Sequence, residues 1–316
     1  MSSSKERKNA IKKLRAFALS PKSDITEFRE KIDNTFSSVF LPNRVDLVEK
    51  DYNGVLCDVI SPAMFSKKRV LLYVHGGSFV AGSRKAYRPF VSSLANAVSC
   101  RAVVPEFKLA PSHPFPYALE DLQNVFRLLY AQEQLRNGNT EIIISGDSSG
   151  ASIAVALILS LKDKFRASVK QMILFSPWLD FSEKNEIFSS KKSVDDVFSA
   201  ESIKFSAENY VDSSKNDNPL VSPLQASRDM LVGFPPVFMQ CGENEIFLDA
   251  AKKFKLNLLA AGVKCTLDVW DDMMPLFQLA DDCLNESHLA IEKIGKLLTE
   301  QDHSDESEYN IGLPLI

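Results

Sequence analysis

The sequence predicts an α/β protein built on a mostly parallel sheet with helices on both faces. Three observations carry this. Short apolar strands alternate with helical periodicities along most of the chain, the order that parallel crossover connections require. The 316 residues are 45% hydrophobic and 25% charged, enough to bury a large core as one domain, or as one domain with a small accessory piece. One apolar run, Glu141 to Ser145, ends in the turn Gly146-Asp147-Ser148-Ser149-Gly150, which opens a helix.

Taken in order, residues 5–37 read as two helices, with Ile11, Leu14 and Phe17-Ala18, then Phe28, Ile32 and Phe36, at helical spacing. Strands are expected at 44–49, 54–60 and 69–74, a helix near 85–98 and a strand at 102–106. Residues 116–132 form a helix after a proline-rich turn. A buried strand at 142–145, a helix at 149–162 and a strand at 170–175 follow. The stretch 186–217 is polar, with weak helical patterns at 192–198 and 201–211. Then come a strand at 236–241, a helix at 249–261, a strand at 265–270 and a final helix at 276–298. The tail 299–316 is acidic and turn-rich and reads as disordered, although its apolar end from Gly312 could dock on the fold.

A serine on a sharp strand-to-helix turn projects its Oγ above the sheet, and small residues at 146 and 150 let strand and helix backbones pass closely. Ser148 is therefore the candidate nucleophile. The helix that follows brings its N-terminus and the Ser149 N–H to the reacting carbonyl. Upstream, His75-Gly76-Gly77-Ser78 ends another apolar run and offers N–H groups unshielded by side chains. Gly76 and Gly77, with Ser149, are the candidate oxyanion donors. His75 reads as a residue that orients this loop rather than as a base.

With these motifs in place, the chain resembles the hormone-sensitive-lipase-like group of α/β-hydrolase carboxylesterases over nearly its whole length. The resemblance also rests on Leu109-Ala110-Pro111-Ser112-His113-Pro114-Phe115-Pro116, on Ser176-Pro177-Trp178-Leu179-Asp180, on Asn218-Pro219-Leu220-Val221-Ser222-Pro223-Leu224, and on Val269-Trp270 with Met273. It implies the α/β-hydrolase fold, with an eight-stranded sheet, and a helical cap. The cap would be built from residues 1–42 and part of 186–217, over a core spanning 43–298. It further implies hydrolysis of short acyl esters by a serine, an aspartate or glutamate, and a histidine. Asp147 and His113 fall on family positions with structural roles. Homodimers through a sheet edge or a terminal helix are a family habit that this chain could share.

The family's acid lies between a strand and a helix, where this chain reads Gln240-Cys241-Gly242-Glu243-Asn244-Glu245-Ile246-Phe247-Leu248-Asp249. The usual aspartate falls on Asn244. Glu245 or Glu243 could take over from the same loop, with Asp249 a weaker alternative. The family's W-x-G-M-x-H-x-F pattern becomes Trp270-Asp271-Asp272-Met273-Met274-Pro275-Leu276-Phe277, which puts Pro275 where the histidine belongs and Asp272 where the loop glycine belongs. The four histidines are His75, His113, His288 and His303, so none lies between 113 and 288. His288 would sit roughly 20 Å along the final helix from Pro275, and His303 lies in the tail. Asp271 or Asp272 would be a poor base unless its pKa were raised.

Without a base, Ser148 is a weak nucleophile. Two functional readings follow. One is a carboxylesterase of short-chain acyl esters with weak activity. The other is a pseudo-esterase that binds a small-molecule ester or carboxylate ligand under its cap, as the plant gibberellin receptor of the same group does. A scaffold acting through the tail is a third, motivated only by Gly312–Ile316. The net charge of −4 suggests neither nucleic acid nor an anionic membrane surface as partner. Five scattered cysteines without a C-x-x-C pair fit a reducing, cytoplasmic setting. The basic N-terminus lacks the apolar stretch of a secretory signal, and no apolar run is long enough to span a membrane. No metal-ligand spacing or nucleotide-binding glycine pattern occurs, so no cofactor is expected.

Overall fold

Arg69–Val74, Glu141–Asp147 and Val169–Phe175 are buried along nearly their whole length, a pattern suited to strands covered on both faces. The computed structural model describes residues 2–38, 45–138, 141–182 and 195–311, with backbone alone at 137 and 300–311. In it these strands are β3, β5 and β6 of an eight-stranded sheet ordered β1-β2-β4-β3-β5-β6-β7-β8. The other strands are β1 (Val45–Asp51), β2 (Leu56–Pro62), β4 (Arg101–Pro105), β7 (Val237–Gly242) and β8 (Cys265–Trp270). β1 and β2 join antiparallel, and the ladder from β4 to β8 is parallel.

The helices are α1 (Ser4–Leu14), α2 (Ile25–Phe36), α3 (Arg84–Ala97), α4 (Tyr117–Asn137), α5 (Ser148–Ser160), α6 (Asp163–Arg166), α7 (Ala200–Tyr210), α8 (Arg228–Leu231), α9 (Leu248–Ala260) and α10 (Asn285–Ile311). α3 packs on β2 and β4 and against α10, while α5 lies on β3, β5 and β6 with α4 outside it. Parallel register brings the ends of the last four strands level. Asp147 pairs with Phe175, Phe175 with Gln240, and Gly242 with Trp270. The loops leaving β5, β6, β7 and β8 therefore emerge side by side, and they carry Ser148, Ser176, Glu245 and Pro275.

The N-terminal helices begin where their caps dictate. Ser3 and Glu6 form a capping box on α1, and Asp24 accepts from Thr26 and Glu27 at the start of α2. Their apolar faces bury Leu14, Phe17, Phe28, Ile32 and Phe36. Polar side chains then tie them to the rest. Arg7 and Lys13 pair with Asp272 and Asp282, and Arg29 donates to Val80 O at 2.7 Å and Ala110 O at 3.0 Å.

Three sequence expectations change. The final helix does not start at Leu276, which has φ +59° and so lies in the left-handed region. A 3-10 turn, Phe277–Ala280, comes next, and α10 begins only at Asn285. Leu276, Phe277, Leu279 and Ala280 are all buried, which is why an irregular loop mimics helical periodicity. At the other end α10 continues to Ile311, where a turn-rich tail was expected, and no glycine or proline occurs from Lys296 to Ile311; residues 312–316 lie outside the described residues. The pattern at 192–198 is not helical over its described part. The Asp195 carboxylate instead accepts from Val197 and Phe198 N–H, and α7 starts at Ala200. The remaining residues of that stretch lie outside the described ones.

Candidate active site

β5 enters its turn with Ser148 at φ +46°, a left-handed conformation that a serine adopts only where packing enforces it. The enforcement comes from Gly150. A Cβ there would sit 2.3 Å from both His75 O and Val74 O, so β3 and α5 approach as closely as backbones can. Ser148 is buried, and Trp178 N donates to its carbonyl at 3.2 Å.

The loop after β3 wraps over this turn. Gly77 has φ +127°, and a Cβ would come 2.1 Å from Ala81 O. The Gly76 N–H donates to Asp147 Oδ1 at 2.9 Å, so this expected oxyanion donor is already engaged. The Gly77 and Ser78 N–H groups donate to no acceptor among the described residues, and Ser149 lies in the first turn of α5, where N–H groups lack helical acceptors. Ser78 Oγ donates to Phe17 O at 3.0 Å, which anchors the loop to the N-terminal segment. Phe79 N donates to Ser149 Oγ at 3.2 Å. Beside the serine, the Phe79 ring stacks on Tyr210 at 3.9 Å and meets Trp178 edge-on at 5.2 Å.

Asp147 is enclosed by Tyr73 and Tyr87 hydroxyls, each at 2.8 Å. Burial raises its pKa to about 6, with those hydroxyls and the Gly76 N–H pulling it down.

Of the acidic candidates, only Glu245 enters the interior. Its Oε2 accepts from Ser176 Oγ at 2.8 Å and Gly242 N at 2.9 Å, and its Oε1 has no partner. Burial raises its pKa to about 8, against these hydrogen bonds. Asn244 is engaged through its backbone, donating to Met273 O at 3.0 Å. Glu243 is exposed and accepts from Asp272 N at 3.0 Å, and Asp249 is a solvent-facing charge near Lys252. Ser176, whose role the sequence did not disclose, has φ +41° and leaves β6 level with Ser148. Its Oγ also accepts from Leu276 N at 2.9 Å. A chain of hydrogen bonds thus runs from Glu245 through Ser176 to the residue after Pro275. Pro275 itself is buried.

No imidazole serves Ser148 among the described residues. His75 is buried, donates from Nδ1 to Gly76 O at 2.9 Å and stacks on Phe107 at 4.3 Å. Burial lowers its pKa to about 4, so it is neutral at physiological pH. His113 is exposed against Tyr117, and His288 is an exposed residue of α10 beside Asp281 and Glu292. The His303 side chain lies outside the described residues. Asp271 and Asp272 are exposed, the latter paired with Arg7.

This strand-to-helix serine turn, facing unpaired loop N–H groups at the ends of parallel strands, defines an α/β-hydrolase of the esterase type. The sequence profile described as alpha/beta hydrolase fold matches residues 71–279, and the chain belongs to that family. It is 32% identical to an esterase of Acinetobacter venetianus over 76% of this chain and 78% of that protein. It is 30% identical to an acetyl-hydrolase of Streptomyces hygroscopicus over 73% of this chain and 75% of that one. Its structure is similar to that of an esterase from the bacterial hormone-sensitive lipase family, with a TM-score of 0.85 and 31% identity, covering 95% of this chain and 99% of that one.

Proposed function

We infer that this protein is a carboxylic-ester hydrolase for short acyl esters that works slowly, because Pro275 stands where the group's histidine base belongs. The observation that carries the reading is Ser148 at φ +46°, held at the head of α5 beside unpaired N–H groups. Ser148 Oγ attacks the acyl carbon. The carbonyl oxygen becomes an oxyanion that accepts from Gly77, Ser78 and Ser149 N–H, and the alcohol leaves. Water then hydrolyses the acyl-serine. The Ser148 proton passes to solvent and solvent protonates the departing alkoxide, since Glu245 lies behind Ser176 and no imidazole among the described residues is placed to relay the proton. Loss of the histidine from a comparable triad costs on the order of 10⁶ in kcat, while oxyanion binding alone keeps about 10³ to 10⁴ over water. Residues 1–42 and the part of 186–217 around α7 would form the cap, and the relatives named esterase and acetyl-hydrolase support the substrate class.

A fluorophosphonate probe and p-nitrophenyl acetate and butyrate test this. Labelling and slow turnover are expected, and both should vanish in Ser148→Ala; background turnover without labelling would remove the reading. The same absence of a base beside intact N–H donors favours a second reading, a pseudo-esterase that holds a small carboxylate at Gly77, Ser78 and Ser149. Butyrate or phenylacetate should then raise the melting temperature, and an unresponsive protein would count against it. A homodimer through the β8 edge, where Val269 is exposed, and a cytoplasmic setting complete the proposal. Light scattering reports the former. No helix among the described residues is long and apolar enough to cross a membrane.

A further inference from the structure

Away from Ser148, a cavity of about 140 Å³ lies in the seam between the N-terminal helices and the core. Phe36 of α2 and Tyr87 and Phe90 of α3 give it aromatic walls, and Lys13, Asp281 and Asp282 line it as well. Its volume is close to that of the ~150 Å³ cavity known to take up a benzene-sized guest.

The charges decide what kind of guest fits. Lys13 pairs with Asp282 and is thereby neutralised. Asp281 has the His288 ring at 3.5 Å, on a side chain 60% exposed to water. One ammonium and two carboxylates leave the lining with an excess negative charge. The Lys13 ammonium also lies 5.0 Å from the centroid of the Phe36 ring, so one wall already faces a cation. Aromatic faces attract cations through their quadrupoles, and aromatic cages recognise quaternary ammonium groups in this way. An anion would meet two carboxylates, and a neutral guest would gain nothing from Asp281.

We propose that this cavity binds a small organic cation, an alkylammonium or quaternary ammonium group, among Phe36, Tyr87 and Phe90 and beside the Asp281 carboxylate. Lys13 already contacts Asp282 and the His288 ring already contacts Asp281, so a guest competes with them for these carboxylates. The site is not remote from the chemistry. Tyr87 OH donates to Asp147 Oδ2 at 2.8 Å, and Asp147 Oδ1 accepts from Gly76 N at 2.9 Å, so two hydrogen bonds separate the cavity wall from the loop beside Ser148.

Calorimetric titration of the full chain at pH 8 tests the proposal, with choline set against its uncharged carbon analogue 3,3-dimethylbutan-1-ol. Choline should bind saturably and at least about tenfold more tightly than the analogue, and Asp281→Asn should weaken choline by at least about tenfold. Equal affinities for the pair would overturn the proposal, as would no saturable choline binding in the millimolar range. Choline binding that is unchanged in a folded Asp281→Asn would overturn it too, because it would place the guest elsewhere. Should Asp281→Asn fail to fold, the comparison of the two ligands on the unmodified chain decides alone.

Discussion

At Gly150 one methyl group is enough to disturb the site. A Cβ would lie 2.3 Å from two backbone carbonyl oxygens, that of Val74 at the end of β3 and that of His75 just beyond it, and neither can yield as a flexible side chain would. Gly150→Ala should therefore cost roughly 3 kcal/mol, the upper end for overpacking a tight interior, and chemical denaturation would measure it. A turn that needs such closeness is written in the sequence as glycine and serine, so Ser148, Gly77 and Gly150 were legible without coordinates. The acid was not. Glu243, Asn244 and Glu245 are three polar neighbours, and what separates them is which one turns inward. That is set by partners far along the chain: Gly242 sits against Met273, and Ser176 meets Glu245 across 69 residues. The same holds for Gly76, whose N–H is claimed by Asp147 from 71 residues away.

At the scale of elements, the Arg29 side chain helps tie α2 to the loop after β3. Arg29 bonds two carbonyls, Val80 O and Ala110 O, from a partly buried position. Hydrogen bonds to charged groups contribute roughly 1.5–3 kcal/mol each where buried, so Arg29→Met should lose about 2–3 kcal/mol. Urea unfolding would register that loss, and slower fluorophosphonate labelling of Ser148 would show that the loop had loosened. Strands were easiest to place, because β3 and β8 are apolar or alternating runs bounded by charged and turn-forming residues. The segment 276–284 was misread for the opposite reason. It is buried like a helix face, yet Leu276 at φ +59° and the hydrogen bond from its N–H to Ser176 hold it as a loop. Helical spacing of apolar residues records burial and does not by itself record backbone conformation.

For the molecule as a whole, buried carboxyls shape the response to pH. Asp147 and Asp195 are raised to about 6 and Glu245 to about 8, each chiefly by burial, while His75 is lowered to about 4. A carboxyl that holds its proton more tightly folded than unfolded stabilises the fold most at low pH. That stability declines as pH rises from the unfolded pKa near 4.5 through the folded pKa near 8 for Glu245. His75 acts oppositely: the folded state loses stability as pH falls below its unfolded value of 6.5, and the loss levels off near 4. Between pH 6.5 and 8 Glu245 should dominate, so the melting temperature is expected to fall across that interval. In Glu245→Gln the fall should be shallower. Equal slopes for the two proteins would mean that the Glu245 carboxyl is already ionised in the folded state.

The proposed loss of the base rests on Pro275 in the loop after β8, while Asn244 and Asp272 are further positions that differ from the expected pattern. The most direct measurement is therefore the turnover of p-nitrophenyl butyrate by Pro275→His, with Asp272→Gly added where the loop needs the room, relative to the unmodified chain. With Ser176 and Glu245 still aligned beneath that loop, turnover should rise at least about tenfold, toward what a triad histidine supplies, and should depend on Ser148. A folded Pro275→His protein with unchanged turnover, or an unmodified chain that already hydrolyses the ester at the rate of an intact triad, would contradict the assignment of Pro275 to the place of the missing base.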